Sequence, residues 1–381
     1  MNTKKLYYED CHLQEFTATV LECTPCKEGF ALVLDATAFY PEGGGQASDI
    51  GTLGDVNVLH TREENDTVIH LCDGALPVGA QVQGLIDYAR RFDLMQQHTG
   101  EHILSGIIHE KYGYHNTGFH VGINTVTIDF DGMIPPEDIP ELENLANRII
   151  WENLPIHCSY PDRETLPTIP YRSKRELPWP VRIVEVPHTD ICACCGVHVA
   201  RTGEVGCIKL LSCIKFHQGV RMELVCGGRA LRWFQDIYEQ NRLVSQAFSA
   251  KVLETGAAAQ KMNDQLAAEK FRANALQKQV FETLAAGYEN AGNVVHFAED
   301  LAPGAVRELA DRIVKVCGGT ATVISGSDAA GYSICILGPG AKELGTSATA
   351  ALNGRGGGKP DAFQGSLQAK KQNITEFFQN I

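Results

Sequence analysis

The sequence has 381 residues, enough for two or three domains, and its 44% hydrophobic content allows a sizeable core. The longest apolar runs stay well short of ~18 residues and the N-terminal "MNTKKLYYEDCHLQEF" has no apolar stretch, so neither a transmembrane helix nor a secretory leader is expected. Thirteen scattered cysteines suggest reduced thiols in a cytoplasmic protein, and a net charge of −13 argues against indiscriminate coating of DNA while leaving room for local basic patches.

Residues 1–85 alternate short apolar runs ("FTATVLEC", "FALVLDATAF", "DVNVLH", "DTVIHLC", "AQVQGLI") with turn signals, the pattern of a small β-barrel domain. Residues 86–228 mix periods: a helix over 91–112, the strand-like "TVTIDF", a helix near 136–153, a Pro-rich stretch and "VRIVEV" suggest an α+β domain. Residues 229–290 are rich in Ala, Gln, Glu, Lys and Leu without proline, which predicts a long helical arm, one helix or a hairpin broken near Gly256. An arm of this kind suits pairing with a second subunit. Residues 291–381 alternate strands and helices as a separate α/β unit.

Three constellations carry chemistry. In "QQHTGEH", His98 and His102 stand four apart, so a helix puts both imidazoles on one face. In "TDICACCGVHVARTGEVG", Cys194 and His198 repeat that spacing, and two such pairs can build one tetrahedral zinc site. Cys192 and Cys195 are alternative thiolates, with Cys194 preferred for its spacing. In "FYPEGGGQASDIG", Gly43, Gly44 and Gly45 ahead of Gln46 permit close approach of a ligand to bare backbone. In "LNGRGGGKPDAFQGS", Gly356, Gly357 and Gly358 between Arg355 and Lys359 predict a loop that cradles phosphate oxygens. The basic cluster Arg172, Lys174 and Arg175 reads as a solvated face, and the "CTPC" of Cys23 and Cys26 lies in strand-like text, away from the helix that a redox motif precedes.

Taken together, "FYPEGGGQ", "QQHTGEH" and Cys194…His198 with "RTGEVG" resemble the editing domain of alanyl-tRNA synthetases and its free-standing relatives, the AlaX trans-editing proteins. The tail "NGRGGGKPDAFQGS" resembles the synthetases' C-terminal domain, of the DHH-associated class, so the resemblance covers nearly the whole chain and points to the long AlaX form. Because the sequence opens on the barrel, an editing protein without an aminoacylation domain is expected. The resemblance implies one zinc ion per chain on His98, His102, Cys194 and His198, with Gly43 to Gln46 bordering an aminoacyl pocket. The chain departs from the family's frequent "CGGTH": Cys195 and Val197 replace a Gly and a Thr, which keeps the ligand spacing and removes a hydroxyl.

The implied reaction is hydrolysis of the ester that joins serine, or glycine, to the terminal adenosine of tRNA(Ala). The implied zinc activates water, anchors the substrate amine or holds the site in shape. Glu101, between the ligands, is the expected base, and Gln46 and Thr99 are expected to meet a seryl hydroxyl. A pocket that hydrogen-bonds a hydroxyl can discriminate by as much as ~10⁴ against a substrate lacking it. Arg355 to Lys359 are expected to bind the tRNA body, and the arm with the C-terminal domain to form a homodimer. Two other classes fit parts of the pattern. "HTGEH" also matches the H-x-x-E-H of inverzincin peptidases, and a non-catalytic tRNA-binding protein with a structural zinc needs no base at all.

Overall fold

In "EFTATV", Phe16, Ala18 and Val20 are buried while Glu15 and Thr17 are exposed, the alternation of a strand with one face on a core. The computed structural model describes residues 2–173 and 179–380. The chain divides into two units, residues 1–243 and 244–381.

The first unit begins with β1 (Lys4–Lys5), β2 (Glu15–Cys26), β3 (Gly29–Leu34), β4 (Ala36–Thr37), β5 (Gly51–Leu53), β6 (Val56–Glu64), β7 (Thr67–Cys72) and β8 (Gln81–Ile86). Six of these close on themselves in the order β2–β3–β7–β6–β5–β8, each neighbouring pair antiparallel. Their inward faces, with Phe16, Val20, Leu32, Leu34 and Leu53, form one core together with Phe39. Each large side chain so buried contributes about 1.5–3 kcal/mol. Cys23 and Cys26 lie within β2 as free thiols.

Helix α1 (Tyr88–Tyr112) follows at once. The Asp87 carboxylate caps its N-terminus by accepting the Arg90 N–H at 3.1 Å, and Gly113, at φ 74°, ends it in the left-handed conformation. Both its apolar residues (Leu94, Met95, Ile103, Leu104) and its polar ones (Gln97, His98, Thr99, Glu101, His102) are buried. The helix is therefore central, and every polar group on it needs a partner. Around it stand β9 (Asn116–Val121), β10 (Val126–Phe130), α2 (Ile139–Glu152), β11 (His157–Ser159), β12 (Ile183–Val186), β13 (Asp190–Ala193), β14 (Ile208–Phe216), β15 (Gly219–Cys226) and the start of α3 (Gly227–Ala247). Strands order as β14–β15–β10–β9 in one antiparallel sheet and β11–β12–β13 in another. Gly106 shows how closely β13 approaches α1: a Cβ there would stand 2.3 Å from the Thr189 carbonyl oxygen. That approach outweighs the roughly 1 kcal/mol that glycine costs inside a helix.

The second unit holds α4 (Thr255–Ala286), β16 (Gly292–Ala298), α5 (Pro303–Cys317), β17 (Gly318–Ser327), β18 (Gly331–Leu337), α6 (Ala341–Ala351), β19 (Arg355–Lys359), β20 (Ala362–Leu367) and α7 (Lys371–Gln379). Its sheet runs β16–β17–β18–β20–β19 and is parallel only between β16 and β17. One expectation is settled and one changes here. Of the two alternatives for the arm, the structure has two helices, interrupted over 248–254, just before Gly256. The glycine run 356–358 is not a loop: it forms the exposed strand β19, paired with β20. Glycine is needed there for proximity, since a Cβ on Gly358 would stand 1.9 Å from the Ala362 carbonyl oxygen. Among the described residues no helix is long and apolar enough to cross a membrane.

Candidate metal centre

The spacing of His98 and His102 on α1 brings both rings to one side of the helix, with centroids 5.3 Å apart. Strand β13 then delivers Cys194 at its C-terminal end, and the turn that follows returns His198 to the same place. One donor atom from each of His98, His102, Cys194 and His198 lies within 4.8 Å of the others, and all four residues are buried in this grouping. Cys194 Sγ is 3.5 Å from His98 Nε2. Zinc–nitrogen and zinc–sulfur bonds in a tetrahedron place their donors roughly 3.4–3.6 Å apart, so this set fits zinc. His198 Nε2 is buried with no hydrogen-bond partner among the described residues, as a vacant donor for a cation would be.

The other ring nitrogens are engaged by supporting groups. His98 Nδ1 meets Gln46 Oε1 at 2.8 Å, His102 Nδ1 meets Asp190 Oδ2 at 3.0 Å, and His198 Nδ1 meets Thr99 Oγ1 at 3.2 Å. Each acceptor holds its imidazole in the tautomer that turns a bare Nε2 toward the centre. Asp190 is itself fixed by Arg172 Nε, 2.7 Å from Oδ1. Charge follows the same plan. Burial alone would push the Cys194 thiol up, but the His98 and His102 imidazoles hold it well below the usual thiol range. Burial, with His102 beside it, pushes His198 down to about 3. Burial opposes a charge on His102 too, yet the Cys194 thiolate and Asp190 raise it well above its ordinary value. A buried thiolate among imidazoles is a cation site. Cys192 also groups with His102 and Asp190, but burial pushes its thiol up to about 11, so Cys194 is the better ligand.

His98, His102 and Cys194 open onto a cavity of about 480 Å³ whose wall includes Gly44, Gly45, Glu101, Thr117, Phe119 and Arg172. Gly44 adopts φ 57° in a tight turn closed by Gln46 N–H to the Gly43 carbonyl at 2.9 Å, and its Cα hydrogen faces Cys195 Sγ. Gly43 supports this turn without reaching the cavity wall. Glu101 is buried at the wall, its Oε1 accepting from Ser105 Oγ at 2.7 Å and from Asn116 Nδ2. Gln46 and Thr99 are the residues expected to meet a seryl hydroxyl. Both are buried away from the wall with oxygens committed to His98 and His198, and Thr99 also accepts the Val199 N–H at 3.3 Å. Gln46 Nε2 has no partner among the described residues. Of the two family departures, Cys195 lines the cavity and Val197 packs in the core, 1% exposed.

Sequence reasoning missed Asp190, Thr117 and Phe119, and read Arg172 only as part of a basic face. Asp190, Cys192 and Cys194 share the period of two that puts them on one side of a strand, a signal present in "TDICAC". Lys174 and Arg175 lie outside the described residues. Arg355, Gly356, Gly357, Gly358 and Lys359 belong to the second unit, where all five are exposed in β19.

Comparison with known proteins adds three sequence families in chain order. The family described as tRNA synthetases class II (A) matches residues 2–90. The threonyl and alanyl tRNA synthetase second additional domain matches 181–221, and the DHHA1 domain matches 290–381. An alanine–tRNA ligase of Thermofilum pendens is 33% identical over 97% of this chain and 43% of its own length. The alanyl-tRNA editing protein AlaX-L of Pyrococcus horikoshii is 32% identical over 61% of this chain and 60% of its own length. The alanyl-tRNA editing protein Aarsd1 of Danio rerio is 30% identical over 60% of each. The chain thus spans between about two fifths and three fifths of the length of these relatives. With these segments in this order and a Cys/His cluster that draws Cys194 and His198 from the second of them, the chain is similar to alanine–tRNA ligases and to AlaX-type alanyl-tRNA editing proteins.

Proposed function

We propose that the chain is a zinc-containing trans-editing deacylase that removes serine or glycine from tRNA(Ala). One observation carries the reading: four zinc-type donors converge, and three of them, His98, His102 and Cys194, stand at the wall of a cavity large enough for a small aminoacyl group on its ribose. Water adds to the ester carbonyl, the bond to the ribose oxygen breaks, and free amino acid leaves a tRNA with its hydroxyl restored. His98, His102, Cys194 and His198 would hold a zinc ion, which would fix the shape of the cavity wall. Gly44 and Gly45 offer bare backbone to the aminoacyl group. Glu101 is the base, held at the wall by Ser105 and Asn116. We assign the seryl hydroxyl to Glu101 and Thr117, the acceptors on that wall, while Gln46 and Thr99 position the ligand histidines. A pocket built to bond that hydroxyl leaves its own polar groups unpaired with alanine, which supplies the discrimination.

The tRNA body is assigned to the second unit. An acidic chain needs a local positive site for a polyanion, and β19 presents Arg355 and Lys359 with Lys370 and Lys371 nearby in sequence. A cytoplasmic homodimer through the helical arm completes the proposal.

The test is incubation with Ser-tRNA(Ala), Gly-tRNA(Ala) and Ala-tRNA(Ala), with and without prior removal of zinc by a chelator. The expected outcome is release of serine or glycine, sparing of alanine, and loss of turnover in the zinc-free protein. Binding of tRNA without deacylation would make the chain a tRNA-binding protein with a structural zinc, and cleavage of peptides instead would make it a peptidase.

A further inference from the structure

The turn that carries the sulfur ligand, Cys194 to Gly196, has its three consecutive carbonyl oxygens all engaged. Arg182 Nη1 donates to the Cys194 carbonyl at 2.9 Å and to the Gly196 carbonyl at 2.8 Å. Tyr8 Oη donates to the Cys195 carbonyl, between them, at 2.6 Å. The two side chains also hold one another: the Arg182 guanidinium lies over the Tyr8 ring, 4.5 Å from its centroid. Arg182 is 7% exposed and its Nη2 reaches Cys158 Sγ at 3.0 Å. Its own carbonyl accepts the Cys194 N–H at 3.1 Å, so backbone and side chain of one residue grip the same turn.

We propose that Arg182 and Tyr8 are positioning residues for the metal centre, acting through the backbone of the 194–196 turn. The geometry of the peptide explains how. In a trans peptide the C=O and N–H point in opposite directions. Tyr8 fixes the Cys195 carbonyl on the outside, and the same peptide unit then aims the Gly196 N–H inward, where it donates to Cys194 Sγ at 3.2 Å. An N–H donated to a thiolate stabilises its charge and fixes its direction. The turn has no slack on its other side: a Cβ at Gly196 would stand 2.1 Å from His98 Cε1. Any rotation of the turn therefore moves the sulfur and presses on a second ligand together. Removing such supports around ligating groups weakens metal binding by about 10–100-fold.

The inference rests on the metal centre of the proposed function and not on the identity of its substrate, so its test reads the metal. Full-length Arg182→Met, Arg182→Lys and Tyr8→Phe proteins are compared with wild type for zinc affinity, by chelator competition, and for the visible spectrum of the cobalt-substituted protein. Arg182→Met is expected to lose at least about tenfold in zinc affinity and to alter the cobalt–thiolate absorption. Arg182→Lys recovers part of the loss, and Tyr8→Phe shows a smaller loss in the same direction. An Arg182→Met protein that folds, with wild-type zinc affinity and spectrum, overturns the proposal, as does a wild-type chain that takes up no zinc. Where Arg182→Met fails to fold, Tyr8→Phe decides: an unchanged affinity and spectrum overturns it. Altered metal binding in a series whose wild type hydrolyses no aminoacyl-tRNA supports this inference and refutes the editing reading alone.

Discussion

Gly196 separates metal binding from folding. An added methyl group meets the His98 ring first, at 2.1 Å from Cε1 and 2.4 Å from Nδ1. Gly196→Ala is therefore expected to displace one imidazole and weaken zinc binding by at least about tenfold, with the thermal unfolding of the zinc-free chain little changed. Chelator competition and calorimetry on the same samples check both halves. The four candidate ligands were legible in the sequence because the members of each pair stand four residues apart, a local relation, although only His98 and His102 lie on a helix. Their supports were not. Asp190 serves His102 from 88 residues away, and Gln46 serves His98 from 52. Such contacts follow from where one element passes another, so local spacing does not reveal that Gln46 and Thr99 bond His98 and His198.

The segment between β4 and β5 is tied to α1 by a fully buried ion pair, Arg91 with Asp49, both side chains 0% exposed. Arg91 Nη2 also donates to the Ala38 carbonyl at 2.6 Å. Arg91→Met leaves the carboxylate buried without its counter-charge, which costs about 3–5 kcal/mol, while Arg91→Met with Asp49→Leu restores much of the loss. Urea unfolding of the two variants measures the difference. The closed sheet also carries an acid-sensitive residue. Burial pushes His70 down to about 4, its Nε2 bonded to Thr37 Oγ1 at 2.8 Å and its Nδ1 to the Leu32 carbonyl at 3.2 Å. Below about pH 6.5 the unfolded chain binds a proton that the folded chain refuses, so stability falls as pH drops toward about 4, by about 3 kcal/mol. Urea midpoints across this window should fall more steeply for wild type than for His70→Gln. Most elements were readable from period and turn residues. The glycine run at 356–358 was not, because glycine marks a flexible loop and a crowded strand alike, and only the partner β20 decides.

For the whole molecule, zinc would act on one unit. All four ligands lie before residue 200, within residues 1–243. With free zinc at 100 times its dissociation constant, binding adds about 2.7 kcal/mol to the unit that holds it. A chelator should therefore lower the unfolding midpoint of the first unit and leave that of residues 244–381 in place, as site-specific fluorescence probes in each unit report. Association is the second expectation at this scale. Leu231, Phe234, Ile237 and Tyr238 recur along α3 and are all exposed, a stripe suited to a second copy. Light scattering at micromolar concentration should give twice the chain mass, and a monomer rejects the dimer. Such a dimer is closed, whereas the sheet of the second unit ends on β19, a bare strand edge of the kind that recruits further strands from neighbouring molecules. Its three glycines have no side chains to obstruct a newcomer. Protection comes from the ends: Arg355 and Lys359 flank the run and Pro360 follows, so a like strand would bring cation against cation and meet a residue with no N–H to give. The charges that suit a polyanion thereby also keep the sheet five strands wide.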